Sequence, residues 1–223
     1  MGKRVLVINN EWPGDPGLVP ANTLTGITED FCYVPNMLEQ VKRLSGGEVI
    51  MIDAQELTLS AVVAFAPNYI IAGGHCNLNG WGDMDYLREY YAAECELIRT
   101  VEVPYLGICA GHQFVCMAYG MDIQPMGEDY DKPEEVGPAR VSILEQGPLL
   151  AGLPDPFQIM MYHSWEVKGC SPELKTIGRT PLCRNAVVCH RERPVYGVQF
   201  HPEMLNCPTV QDGAQLLKNF FSL

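Results

Sequence analysis

An apolar run, Val103-Pro104-Tyr105-Leu106, leads into Gly107-Ile108-Cys109-Ala110-Gly111-His112-Gln113 and then into a helix-forming stretch closed by Gly120. A buried strand turned into a helix through two glycines is the junction from which α/β sheets are built. A cysteine between those glycines is how such a fold presents a nucleophile. With 21 Gly and 9 Cys in 223 residues, chance supplies G-x-C-x-G only about 0.08 times, so the pattern is not an accident of composition.

The rest of the first half repeats the alternation. Val5 to Asn9, Glu48 to Ile52 and Pro67 to Ala72 read as strands, the last running into Gly73-Gly74. Pro35 to Leu44, about Met84 to Thr100, and Ala110 to Tyr119 have helical spacing. The expected fold is α/β, a mainly parallel central sheet with helices on both faces and its active site at the carboxyl ends of the strands. In the second half, 139–144, 157–162, 174–179, 186–190 and 195–200 are strand-like without helix-length spacers. These predict antiparallel additions at the sheet edge, and Val210 to Phe221 forms a last helix. No linker interrupts the chain, so 1–223 is expected to be a single domain. Within it, Pro13, Gly14, Pro16, Gly17, Pro20 and Gly26 mark about 11–35 as an irregular insertion, of a length that more often serves a site or a partner than fills space.

The formal charge of −12 removes the attraction to phosphate on which nucleic-acid binding rests. No apolar run approaches the length of a membrane span, and the N-terminal apolar stretch meets Asn9-Asn10 too soon for a signal peptide. Nine cysteines without a C-x-x-C pair indicate neither a disulfide framework nor a zinc site. The expectation is a cytoplasmic protein with reduced thiols, no metal and no cofactor.

At the first turn of a helix, backbone N–H groups and the macrodipole favour the thiolate of Cys109. The N–H of Ala110 faces the place where an oxyanion would form, and a second donor is expected from the bare backbone at Gly73-Gly74. A proton carrier must come from His75, His112, His163, His190 or His201. His201 suits best: it follows the strand Val195 to Phe200, is fixed by Pro202, and has Glu203 nearby to orient the ring.

Together, Gly73-Gly74, the elbow 107–113, Tyr162-His163-Ser164 and Tyr196-Gly197-Val198-Gln199-Phe200-His201-Pro202-Glu203 make the chain resemble a class I, triad-type glutamine amidotransferase. Thr209, Gly213 and Asn219-Phe220 extend the likeness, which leaves out only 11–35. The resemblance implies a flavodoxin-like sheet and a Cys109-His201-Glu203 triad acting on glutamine through a γ-glutamyl thioester. It also implies an oxyanion hole from Gly74 and Ala110, substrate contacts from Gly73, Gln113, Ser164 and Trp165, and ammonia passed to a separate synthetase subunit. Two departures stand out. Gly74-His75-Cys76-Asn77 lacks the proline usual after the glycine pair, and the first connection is unusually long. Cys76 reads either as a neighbour of the site or, more simply, as a loop thiol without a task.

Tyr162-His163-Ser164 is similar to the glutaminase subunits of anthranilate and aminodeoxychorismate synthases, whereas Met160-Met161-Tyr162-His163 and the general layout are similar to the glutaminase part of GMP synthase. The departures favour a divergent member whose ammonia acceptor is unassigned. Two other readings stay open: a stand-alone hydrolase of γ-glutamyl amides, and an inactive regulatory subunit that binds its partner through 11–35.

Overall fold

The computed structural model describes residues 2–11, 17–19, 21, 27, 29–74, 83–126, 135–207 and 209–223. The chain opens with β1 (Arg4–Asn9), a short antiparallel pair β2 (Leu18–Val19) and β3 (Phe31–Cys32), then α1 (Tyr33–Ser45) and β4 (Glu48–Asp53). It continues through α2 (Leu59–Phe65), β5 (Tyr69–Gly74), α3 (Met84–Tyr90), α4 (Ala92–Thr100), β6 (Tyr105–Cys109) and α5 (Ala110–Ala118). The second half holds β7 (Ile123–Pro125), β8 (Glu135–Ile143), β9 (Phe157–His163), β10 (Trp165–Val167), β11 (Leu174–Arg179), β12 (Val187–His190), β13 (Val195–Val198) and α6 (Asp212–Phe220).

Among the described residues, nine strands join in one sheet of order β4-β1-β5-β6-β13-β12-β11-β8-β9. From β4 to β13 every pairing is parallel; from β13 to β9 every pairing is antiparallel. Each face of the parallel half is covered because its strands are apolar on both sides. Val5 and Val7 of β1 pack with Met37 and Val41 of α1 and Leu217 and Phe220 of α6. Leu6 and Ile8 face the other way, toward Ile98 of α4 and Phe114 of α5. The strand order reverses between β1 and β5, and the crevice such a reversal leaves at the carboxyl ends is where α/β sheets bind ligands. Asn9, Gly74 and Cys109 end the three strands there.

Several expectations need correction. The run 195–200 is not an edge addition: β13 pairs parallel with β6 through Gly197↔Gly107 and Val198↔Ile108, and antiparallel with β12, so it joins the two halves. It also ends at Val198, because the chain then turns to let the His201 N–H donate to the Met160 carbonyl of β9 at 2.9 Å. The helix read over 84–100 is two helices, broken at Tyr91, whose ring is stacked 4.0 Å from that of Phe114. The first helix begins at Tyr33, inside the segment read as irregular; Pro35 sits in its first turn, where a missing N–H costs nothing. The short helix α2 is not marked by the sequence pattern; its cap is the Thr58 side chain accepting from the Ala61 N–H at 3.2 Å.

Candidate active site

The glycines of the elbow are dictated by backbone contacts. A Cβ on Gly111 would lie 2.3 Å from the Ala72 carbonyl oxygen of β5, and one on Gly107 the same distance from the Gly111 carbonyl oxygen. Only bare backbone lets α5 start this close to the sheet. Between them Cys109 takes φ 53 and ψ −105, a conformation that L side chains rarely hold and that aims its sulfur out of the turn. The thiol is 6% exposed, with the Tyr162 carbonyl oxygen and the Gln199 side-chain amide each 3.8 Å away.

Across the sheet, Gly74 is the register partner of Cys109. It has φ 143, and a Cβ there would meet the Glu11 nitrogen at 2.7 Å and the Asn10 carbonyl carbon at 2.9 Å. A Cβ on Gly73 would lie 2.7 Å from the Tyr33 hydroxyl. Ala110 opens α5 and is buried; its N–H is among the first-turn donors that have no intrahelical partner. His75 and Cys76 lie outside the described residues.

His201 and Glu203 are both sealed from solvent. The His201 Nδ1 is 2.7 Å from Glu203 Oε1, while its Nε2 is buried with no hydrogen-bond partner among the described residues. Burial alone would push this imidazole down, but the Glu203 carboxylate and then the Cys109 sulfur outweigh it and raise it to about 10. The ring is wedged edge-on against Tyr33, 5.3 Å between centroids, and the Glu203 carbonyl accepts from the Asn36 side chain at 3.2 Å. The remaining described histidines are held elsewhere. His112 is fully buried behind the elbow and pushed down to about 3, by burial first and then by His163. His163 is fixed between the Trp165 carbonyl oxygen at 3.0 Å and Glu135 at 3.2 Å. His190 accepts the Glu192 and Arg193 backbone N–H groups.

Gln113 donates through Nε2 to the Trp165 carbonyl at 2.8 Å and to Gln199 Oε1 at 3.2 Å, and its Oε1 is buried without a partner among the described residues. It thereby ties Trp165 to the elbow. Ser164 is exposed at the end of β9, its carbonyl accepting from the Met126 N–H. The structure thus gathers Cys109, His201, Glu203, Gly73, Gly74, Ala110 and Gln113 at one end of the sheet, with Ser164 and Trp165 joined through β9 and Gln113. Sequence reasoning missed three neighbours. Gln199 gave a signal, being polar in a buried run; Tyr33 and Asn36 gave none, because they come from the far side of the irregular segment. Burial, then Glu203, Cys109 and Glu11, push the Tyr33 hydroxyl well above its ordinary value, as expected for a phenol placed among them.

Among the described residues no group of three or more His, Cys, Asp or Glu side chains could hold a metal, and no helix is long and apolar enough to cross a membrane.

The fold is that of a solved protein from Thermoplasma acidophilum assigned as a component of GMP synthase (TM-score 0.75, 18% identity, covering 100% of this chain and 94% of that one). It is also that of a glutamine amidotransferase from Thermotoga maritima (TM-score 0.67, 16% identity, 100% and 97% covered). In sequence, the chain is 32% identical over 128 residues to the glutamine-hydrolysing subunit of GMP synthase from Methanothrix thermoacetophila, covering 57% of this chain and 66% of that protein. It is 32% identical over 162 residues to the subunit of the same name from Pyrococcus furiosus, with 73% and 78% covered. The family model described as glutamine amidotransferase class-I matches residues 35–222. Because that match takes in most of the 223 residues, from α1 through the elbow and the His201-Glu203 turn to α6, the chain belongs to the class-I glutamine amidotransferase family.

Proposed function

We infer that Cys109, His201 and Glu203 form a triad that hydrolyses glutamine and that the ammonia goes to a separate synthetase subunit. The observation that carries this reading is the pairing of a cysteine at a positive-φ elbow with a buried histidine whose Nδ1 is fixed by a carboxylate and whose Nε2 is left unpartnered. In the first half-reaction the Cys109 sulfur adds to the side-chain carbonyl of glutamine, and the oxyanion is met by the N–H groups of Gly74 and Ala110. His201 gives its proton to the departing nitrogen, which leaves as ammonia, and a γ-glutamyl thioester remains. In the second, His201 takes a proton from water, the resulting hydroxide displaces the sulfur, and glutamate and the thiol are released. Glu203 holds the ring and stabilises its charged form. The backbone at Gly73 and Trp165, the free Gln113 Oε1 and Ser164 supply polar groups for the amino and carboxylate ends of glutamine.

The sequence relatives are named as GMP synthase subunits, so the formation of GMP is the first acceptor reaction to test. We read the chain as one catalytic domain working in the cytoplasm, where its thiols stay reduced; the described cysteines are all unpaired. Cys109→Ala and Cys109→Ser should each abolish release of glutamate from glutamine while the circular-dichroism spectrum and melting curve stay near wild type. Persistent turnover in either variant would place the nucleophile elsewhere. Rapid hydrolysis of γ-glutamyl amides, with free glutamine ignored even beside a GMP-forming synthetase partner and its substrates, would favour a stand-alone hydrolase instead.

A further inference from the structure

Glu94 of α4 is 1% exposed, in the apolar layer built by Leu87, Tyr91, Ile98 and Phe114. A carboxylate buried there is costly unless its oxygens are satisfied, and among the described residues no cation pairs with it. Both oxygens take neutral donors instead: Oε2 accepts from Asn10 Nδ2 at 2.7 Å and Oε1 from the Tyr105 hydroxyl at 2.8 Å. Burial pushes this carboxyl up, the two hydrogen bonds pull it back, and it lies at about 7.

Asn10 is the residue on which the Gly73-Gly74 end of β5 rests. Its N–H donates to the Gly73 carbonyl at 2.9 Å, and its Cα and carbonyl carbon lie 3.2 and 2.9 Å from where a Gly74 Cβ would stand. The only cis peptide among the described residues is Asp155-Pro156, so the Gly73-Gly74 peptide is trans and planar, with its N–H opposite its carbonyl. With the carbonyl held toward Asn10 on β1, the Gly74 N–H points the other way, toward β6 and its register partner Cys109. The Asn10 side chain is held by Glu94 alone, since its Oδ1 has no partner among the described residues.

We propose that Glu94 is a positioning residue: through Asn10 it sets the Gly73-Gly74 peptide so that the Gly74 N–H meets the oxyanion formed at Cys109. This rests on the glutamine-hydrolysis reading above. A donor misaligned at an oxyanion costs the transition state more than the bound substrate, so the effect falls on kcat. The groups facing Glu94 are Asn10 after β1, Tyr105 of β6, Tyr91 before α4, and Cys95 on α4 itself; Arg88 and Arg99 bear on Cys95. None of these takes or loses a proton near pH 7, so a step in activity there belongs to Glu94.

The test measures glutamine hydrolysis by the full chain, with its synthetase partner present, from pH 5 to 9. Asn10→Ala and Glu94→Ala should each lower kcat about tenfold and leave KM for glutamine within twofold. Glu94→Gln, which keeps the size and a hydrogen bond to Asn10, should recover most of kcat, and its ratio to wild type should lose the step near pH 7. Tyr105→Phe cuts the other bond to the carboxyl; it should keep kcat within twofold and move the step to higher pH. Wild-type kcat in Asn10→Ala, or equal losses in kcat in Asn10→Ala and Tyr105→Phe, would overturn the proposal. Amide exchange over residues 72–74 reads the same clamp without activity: exchange faster in Asn10→Ala than in Tyr105→Phe supports it, and equal exchange overturns it. A wild-type chain that turns over no glutamine would sink the functional reading while the exchange data still decide the clamp.

Discussion

Glycine at position 109 should remove the nucleophile and yet leave the fold at least as firm as alanine does, because the backbone there is strained. Cys109 sits at φ 53 and ψ −105, a conformation that an L side chain holds at a cost of about 1–3 kcal/mol. At an ordinary buried site, changing Ala to Gly forfeits one methyl, about 0.8 kcal/mol, and loosens the unfolded chain by roughly 0.4–1 kcal/mol. Together these losses come to about 1.5 kcal/mol, or roughly 3–6 °C in Tm for a chain of this size. Relief of about 2 kcal/mol of strain cancels them, so Cys109→Gly should melt level with Cys109→Ala or slightly above it. Ala72→Gly supplies the control: Ala72 is fully buried in the regular part of β5 and should show the full loss. Differential scanning calorimetry on wild type and the three variants compares the two sites directly. If Cys109→Gly falls below Cys109→Ala by as much as Ala72→Gly falls below wild type, the elbow carries no strain and the reasoning fails.

Gly111→Ala drives a Cβ to 2.3 Å from the Ala72 carbonyl oxygen, so α5 must move off β5 by about 1 Å to restore contact. Overpacking of that kind costs at least about 3 kcal/mol and separates Cys109 from Gly74; a variant with wild-type Tm and activity would contradict the geometry. The His201-Glu203 pair makes stability depend on pH. The imidazole is raised from 6.5 to about 10 in the folded protein, so its contribution is complete below pH 6.5 and is lost as pH rises through about 10. Urea midpoints should therefore fall between pH 7 and 10 in wild type and fall less steeply in Glu203→Gln, whereas parallel slopes would show that the carboxylate is not what raises the histidine.

What could be read in the sequence and what could not divides along one physical line. The elbow was legible because its glycines answer contacts within a few residues or across one strand: Gly107 meets Gly111, and Gly111 meets Ala72. His201 and Glu203 were legible for the same reason, two residues apart and bonded to each other. The parallel half of the sheet followed from strands and helices in alternation. The place of β13 did not, because a run of Val, Tyr and Gly reads alike at an edge and in the centre; its parallel pairing with β6 is settled by where the chain has been, not by its own composition. The supports of the site were hidden by distance along the chain. Asn10 reaches Glu94 across 84 residues, Asn36 reaches Glu203 across 167, and Tyr33 meets the His201 ring from the end of a segment dense in Pro and Gly. A buried Glu on an amphipathic helix has no sequence mark that tells it from a solvated one. Only its surroundings do, so the residues that hold a catalytic peptide in place are the last to be found from sequence and the first to be tested from structure.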